Sequence, residues 1–153
     1  MIKRSRVSKS AANSAAASWE HFTHQADIGV RGLGDSCAQA FEQAALALTA
    51  IVTPPERVRP HSRIELTATA PDAELLLVDW LNALIYEMAI RHMLFSRFEV
   101  ELADGKLQAV AWGEAVDLAR HEPAVEPKGA TYTALAVQAL ADGRWLAQCV
   151  VDV

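Results

Sequence analysis

Cysteine is nearly absent from this sequence of 153 residues, which has only Cys37 and Cys149. The two are far apart and form no CxxC pair, so the sequence predicts neither a disulfide framework nor a thiolate zinc site. We expect both to be small buried side chains. Long hydrophobic runs are absent too, because no uncharged run is longer than Gly129 to Ala141, which is too short and too polar to cross a bilayer. We therefore expect a cytoplasmic protein without a membrane anchor.

The sequence also lacks the motifs of several enzyme classes. It contains no HExxH zinc motif, EF-hand loop, GxSxG nucleophile elbow, P-loop or protein-kinase signature. The GxG formed by Gly32 and Gly34 has no third glycine and no strand-turn-helix continuation of the nucleotide-binding type, so it predicts a strand end instead. Zinc proteases, serine hydrolases with a nucleophile elbow and nucleotide-binding enzymes are therefore disfavoured.

Basic residues are scarce after residue 18. Residues 1–18 contain four of the 14 Lys and Arg residues, no acid and many Ser and Ala, which predicts a disordered basic tail. The remaining residues include 10 basic and 19 acidic side chains, a net charge of −9. An acidic body of this kind repels phosphate backbones. We therefore expect no strong direct binding of nucleic acid.

The hydrophobic pattern predicts one α+β domain over residues 19–153, with two helices packed on a mixed or antiparallel β-sheet. Alternating runs predict the strands, and two Asp-Gly turns predict C-terminal hairpins. The predicted strands are Trp19 to Thr23, Ile28 to Leu33 and Arg63 to Ala70, followed by the hairpins Phe95 to Leu102 with Lys106 to Gly113 and Thr131 to Leu140 with Arg144 to Val153.

Two segments have the period of a helix. The first begins at Ser36, with Gln39 at capping-box spacing, and ends before Pro54. The second begins after Asp72 and runs to about Arg91. Its apolar content is so high that we expect it to be the central helix of the core.

Two aspartates stand in apolar, strand-like surroundings. Asp27 lies between the short polar run at His24 and an apolar strand, and Asp152 lies in the final VVDV. Burying an unpaired carboxylate costs roughly several kcal/mol, so a cation or hydrogen-bond donors must compensate. We predict that both hold one metal ion, with the terminal carboxylate of Val153 as a further donor. Oxygen ligands favour Ca²⁺, Mg²⁺ or Mn²⁺ over zinc.

Further polar candidates lie on the second helix and on the long connection between the hairpins. Asp79 and Asn82 are three residues apart and share a helix face. Two interpretations of Asp79 stay open: it belongs to a site, or it bonds a neighbouring loop or points to solvent. The connection contains Glu114 and His121, and connections of this length are often functional. A histidine beside Glu and Pro in a loop is usually solvated, and we expect this of His121.

Five blocks in a fixed order, together with the final VDV, resemble the archease family. They are HxADIG from His24 to Gly29, LLVDWLNxLIY from Leu76 to Tyr86, LFSRFEVE from Leu94 to Glu101, AxAWGExxDxxxH from Ala109 to His121 and KxxTY from Lys128 to Tyr132. The resemblance implies a small α+β protein that assists the GTP-dependent RtcB-type RNA ligase of tRNA splicing and RNA repair. Such a protein promotes guanylylation and repeated turnover of the ligase and is not itself an enzyme.

The resemblance also implies roles for particular residues. It makes Asp27, Asp152 and Val153 the ligands of a divalent metal ion, usually calcium. The residues that would orient these ligands or contact the partner are His24, Asp79, Glu114 and His121. The chain departs from the family pattern at Gln25, where Thr is usual, at Thr133, where His is usual, and at Pro127 and Gly129, which interrupt a usual VKA run.

Two other classes of function remain open. In a metal-dependent phosphoester hydrolase, His24, Asp27, Asp79 and Asp152 would activate a water molecule. In a chaperone-like interaction module, the metal would only stabilise the fold. The sequence decides neither the identity of the ion nor the oligomeric state.

Overall fold

Two antiparallel sheets share one core in residues 17–153, the part of the chain that the computed structural model describes. The predicted tail over residues 1–18 lies outside the described residues except for its last two. The strands are β1 (Ser18–His24), β2 (Asp27–Gly34), β3 (Ser62–Thr69), β4 (Met93–Ala103), β5 (Lys106–Ala115), β6 (Gly129–Ala130), β7 (Ala136–Ala139) and β8 (Trp145–Asp152). The helices are α1 (Cys37–Val52), α2 (Ala73–Arg91) and the short α3 (Leu118–His121), with a 3-10 turn at Pro55–Arg57.

The α+β class is confirmed, and the strands form two sheets instead of one. The larger sheet has the order β1-β2-β8-β6, with β7 also paired to β8, and the smaller has the order β3-β5-β4. Helix α1 covers the free edge of β4, because the Val100 N–H donates to the carboxylate of Glu42 at 2.9 Å and the Thr49 hydroxyl donates to the Phe95 carbonyl at 2.5 Å. Edge groups that are bonded to a helix are unavailable for joining another strand.

Both main helices begin where local capping predicts. The Ser36 hydroxyl accepts the N–H of Gln39 at 3.0 Å, and the carboxylate of Asp72 accepts the N–H of Leu75 at 2.8 Å. Helix α1 lies directly against β2, and a Cβ on Gly32 would be only 2.1 Å from the Ala40 carbonyl oxygen. Glycine is therefore required at position 32 for this close approach.

The core lies between the helices and the sheets. Trp80 of α2 is fully buried, and its indole N–H donates to the Phe41 carbonyl of α1 at 3.1 Å. Hydrogen bonding is what allows an indole to be buried completely. No helix among residues 17–153 has the length and apolar character that crossing a bilayer requires.

The first predicted hairpin is confirmed by β4 and β5. The continuous strand predicted from Thr131 to Leu140 is wrong in its first half, because a turn separates β6 from β7. Ala134 has a φ of +55° in this turn, and the N–H of Leu135 donates to the Tyr132 carbonyl at 3.4 Å. A left-handed alanine is uncommon and does not continue a strand.

Candidate functional site

Asp27 and Asp152 lie at the same end of two paired strands. Asp27 begins β2 and Asp152 ends β8, directly beyond the paired residues Ile28 and Val151. The N–H of Val153 donates to Oδ1 of Asp27 at 3.2 Å. Asp27 is half-buried and Asp152 is exposed. The sheet thus brings the three residues predicted to bind a metal to one end, although Asp27 lies 125 positions before Asp152 along the chain.

The backbone around Asp152 is held by β6 and by Asn82. Gly129 pairs with Asp152, and the Lys128 N–H donates to the Asp152 carbonyl at 2.8 Å. The Asn82 side chain makes two hydrogen bonds to Ala130, the residue after Gly129. Its Oδ1 accepts the Ala130 N–H at 2.8 Å, and its Nδ2 donates to the Ala130 carbonyl at 3.5 Å. Helix α2 therefore positions β6, and β6 positions Asp152. The sequence pattern indicates Asn82 only as a neighbour of Asp79 on one helix face.

His24 and Asp79 have different relations to this end of the sheet. His24 is paired with Asp27 across the tight turn of Gln25 and Ala26, where Gln25 has a φ of +54°. Asp79 is exposed and lies one helical turn before Asn82. Its carboxylate makes no hydrogen bond or salt bridge within residues 17–153. Of the interpretations left open for Asp79, a bond to a neighbouring loop is therefore the one that the geometry disfavours.

The donors at this end suit a hard cation that takes part of its ligands from elsewhere. Within residues 17–153, no three His, Cys, Asp or Glu side chains gather closely enough to hold a metal ion. Two carboxylates and the main-chain oxygen of Val153 provide at most about five oxygen atoms, whereas Ca²⁺ takes about six to eight. All of these donors are oxygens, which agrees with calcium or magnesium and disfavours zinc. The residues therefore fit an open, exposed ion site.

A second polar cluster lies in the connection between β5 and β6. Arg120 forms a bidentate pair with Glu114, with Nη1 to Oε2 at 2.7 Å and Nη2 to Oε1 at 2.9 Å. The backbone N–H of Arg59 and Nε2 of His121 reach the same Oε2 at 2.8 Å and 2.9 Å. Mainly through its pairing with Arg120, the pKa of Glu114 is held well below the usual range of a glutamate.

His121 is completely buried, so the expectation that it is solvated is wrong. The N–H of Asp117 donates to Nδ1 of this ring at 2.9 Å. Nδ1 is therefore an acceptor, and the proton of a neutral ring sits on Nε2, which donates it to Glu114. Burial follows from short helix α3, which Asp117 caps by accepting the N–H groups of Ala119 and Arg120. Local sequence does not reveal such a turn toward the core.

This cluster anchors the connection to the end of α1. The Thr53 hydroxyl donates to the His121 carbonyl at 2.6 Å, and the Ala124 N–H donates to the Val52 carbonyl at 2.9 Å. No hydrogen bond or salt bridge of the described residues joins Glu114 or His121 to Asp27 or Asp152. The structure therefore brings Glu114 and His121 to each other and not to the predicted metal ligands.

Charge at the end of the sheet is left uncompensated. Seven arginines of the described residues pair with carboxylates: Arg31, Arg57, Arg63, Arg91, Arg97, Arg120 and Arg144. Within residues 17–153, the carboxylates of Asp27, Asp79 and Asp152 form no salt bridge. Unpaired carboxylates create a negative potential that attracts a cation or a positively charged partner.

Comparison with known protein families gives one consistent result. A profile of the Archease protein family (MTH1598/TM1083) matches residues 19–153. The chain is 40% identical to Protein archease of Pyrococcus furiosus over 139 residues, which are 88% of this chain and 98% of that protein. It is 35% identical to Protein archease of Methanosarcina mazei over 140 residues, 88% of this chain and 95% of that protein.

Two solved structures have a similar fold. The solution structure of protein 1598 of Methanobacterium thermoautotrophicum superposes with a TM-score of 0.76 at 29% identity, covering 88% of this chain and 98% of that one. The crystal structure of a Thermotoga maritima archease, described as a possible chaperone, has a TM-score of 0.54 at 18% identity, covering 88% of this chain and 96% of that one. At that identity, the second likeness concerns the fold alone.

Proposed function

The chain belongs to the archease family, and on that premise we propose that it is a protein cofactor of a GTP-dependent RtcB-type RNA ligase. It would promote guanylylation and repeated turnover of the ligase in tRNA splicing and RNA repair, in the cytoplasm, without catalysing a reaction itself. The observation that supports this proposal is the pair of Asp27 and Asp152 at one exposed end of an acidic protein. A ligase that handles GTP and RNA needs cations, and these carboxylates can present one.

We propose that Asp27, Asp152 and the main-chain oxygen of Val153 hold a divalent ion, with calcium as the first candidate and magnesium or manganese as alternatives. When bound, the ion supplies positive charge for oxygen ligands of the partner. The protein's own residues fix the donors: the Val153 N–H holds Asp27, and β6 holds the backbone of Asp152. Open coordination positions suit a site that is completed by the partner.

The test is a guanylylation assay with the cognate RNA ligase, RNA substrate and GTP. Full-length protein should raise the rate of guanylylation, and Asp27→Ala and Asp152→Asn should lose most of the stimulation. Glu101→Gln is a matched control, because Glu101 is an exposed carboxylate on the outer face of the smaller sheet. If Asp27→Ala stimulated the ligase as well as the unchanged protein, the metal-dependent proposal would be wrong.

The same assay separates the alternatives. A phosphoester hydrolase would hydrolyse its substrate with Mg²⁺ or Mn²⁺ when no ligase is present. A chaperone-like module would still stimulate its partner after the metal is removed with a chelator, provided that circular dichroism shows the protein folded. Loss of stimulation in chelator and its return with calcium would support the cofactor proposal.

A further inference from the structure

An apolar groove of about 590 Å³ opens on the surface away from the core. It lies between the second half of α2, the start of β4 and residues 116–127 of the connection. All but two of its lining side chains are apolar, among them Ile85, Met88 and Pro123. Leu118 at its rim is 76% exposed and Val125 is 42% exposed. Apolar side chains exposed together around a groove mark an interaction surface more often than single exposed ones do.

One wall of the groove has unbonded backbone. Residues 122–128 have no helix or strand, and the prolines at 123 and 127 keep this segment from continuing α3. The Ala124 N–H bonds Val52, and the Lys128 N–H bonds Asp152. Between them, the N–H and C=O groups of Val125 and Glu126 make no hydrogen bond within residues 17–153. Free backbone donors and acceptors on an exposed segment can hydrogen-bond to the backbone of a bound peptide segment.

The charges around the groove indicate which kind of protein segment it binds. The ionisable side chains that line the groove are Glu126 and His92, and Glu126 is exposed without a salt bridge within the described residues. Glu122 and Asp117, on the same connection, pair with Arg57 and Arg120, so Glu126 is the carboxylate at the groove that is left for a partner. A second copy of this chain would bring another net charge of −5, so self-association here is opposed by repulsion. A segment with positive charge is attracted.

We infer that this groove binds an extended, cationic segment of a partner protein, whose backbone hydrogen-bonds to free backbone groups at Val125 and Glu126. Its apolar side chains enter the groove beside Leu118, and a Lys or Arg pairs with Glu126. This inference does not depend on the identity of the partner as a ligase, and it concerns different side chains from Asp27 and Asp152. The wall segment continues into Lys128, so a partner bound at the end of the sheet is within reach of the groove.

The probe is an end-blocked, fluorescein-labelled peptide of eight residues in which Lys alternates with Leu or Val. Fluorescence anisotropy with the full chain should show saturable binding that weakens with added salt. Three changes address the three features. To test charge, a peptide with Glu in place of Lys should bind about tenfold more weakly or not at all. To test backbone hydrogen bonding, a peptide N-methylated at alternate amides should show the same loss. To test the apolar contact, the unchanged peptide should show the same loss with the Leu118→Ser protein.

A matched pair of charge reversals tests the position of the contact. Glu126→Lys should weaken peptide binding about tenfold, whereas Glu101→Lys, which changes the net charge equally on the far sheet face, should change it less than about twofold. Equal losses in both variants, or equal binding of the N-methylated peptide, would overturn the inference. Sedimentation of the full chain tests whether a second copy occupies the groove. If the chain forms a dimer that Leu118→Ser dissociates, and the peptide does not bind, the groove belongs to a second copy and the inference is wrong.

Discussion

The N–H of Val153 donates a hydrogen bond to Oδ1 of Asp27 at 3.2 Å, joining residues 126 positions apart. This bond leaves the second oxygen of Asp27 without a hydrogen bond or salt bridge within residues 17–153, and the exposed carboxylate of Asp152 lies at the same end of the two paired strands. Carboxylates without a salt bridge at one end of the sheet attract a cation. An ion that binds these donors only when the protein is folded stabilises the folded state.

Calcium should therefore raise the thermal stability of this protein. At a free concentration of about 100 times the dissociation constant, one site that exists only in the folded state adds about 2.7 kcal/mol. We expect scanning calorimetry to show the shift for the full chain and for Glu101→Gln, and to show little of it for Asp152→Asn. A shift of equal size in Asp152→Asn would remove Asp152 from the proposed site.

Asn82→Ala should weaken calcium binding without touching a proposed ligand. The variant loses both hydrogen bonds to Ala130, which frees β6 and with it the backbone of Asp152. Residues that hold ligands in place are commonly worth about 10 to 100-fold in metal affinity. Calorimetric titration measures the affinity, and amide hydrogen exchange at Ala130 should accelerate. Unchanged affinity with accelerated exchange would show that β6 does not position the site. Gln108→Ala, on the outer face of the smaller sheet, is the control.

Glu114→Gln should destabilise the protein by about 2 kcal/mol, because the side chain gives up charged hydrogen bonds to Arg120 and leaves His121 poorly paired in the core. The Glu114 side chain is only 11% exposed. Glu99→Gln removes an exposed pair with Arg97 and should cost less than about 1 kcal/mol. Urea unfolding of both variants gives the comparison, and similar losses would mean that the buried cluster contributes no more than a surface pair.

The stability that Glu114→Gln loses should depend on pH. The pKa of Glu114 is lowered in the folded state, so its contribution is present above the ordinary glutamate pKa near 4.5 and is lost as the pH falls through the folded value. The difference in unfolding free energy between the unchanged protein and Glu114→Gln should be constant from pH 8 to pH 6. It should shrink only in acid, below the ordinary pKa. A difference that already shrinks between pH 8 and pH 6 would contradict the assignment.

The contribution of Glu42 to stability should have the opposite pH dependence. Burial raises its pKa to about 7, against the lowering effect of the hydrogen bond from the Val100 N–H. Its protonated form is favoured in the folded state, so stability is full below pH 4.5 and falls as the pH rises through 7. Glu42→Gln keeps an acceptor for Val100 and cannot ionise. Relative to this variant, the unchanged protein should lose up to about 3 kcal/mol between pH 4.5 and pH 8 in urea unfolding; a flat difference would refute the raised pKa.

Sequence alone predicted the elements whose signals are local. Ser36 and Asp72 cap their helices because each side chain accepts an N–H only three residues ahead, and the Asp-Gly turn before Lys106 closes a hairpin between adjacent strands. The segment from Thr131 to Leu140 shows the limit of such patterns. Its apolar residues suit a strand, but the turn at Ala134 breaks the strand after β6.

Some features of the candidate site also follow from the local sequence, and others depend on tertiary contacts. The sequence by itself marked Asp27 and Asp152 as carboxylates in apolar surroundings, since the cost of an unpaired charge is a property of each residue. The pairing of β2 with β8 is what places them at the same end of the sheet, because register joins positions far apart in the chain. Tertiary packing alone also buried His121 against Glu114, divided the strands into two sheets and opened the groove beside Leu118. Those features depend on which surfaces α1, α2 and the connection cover, and a local sequence pattern does not predict this.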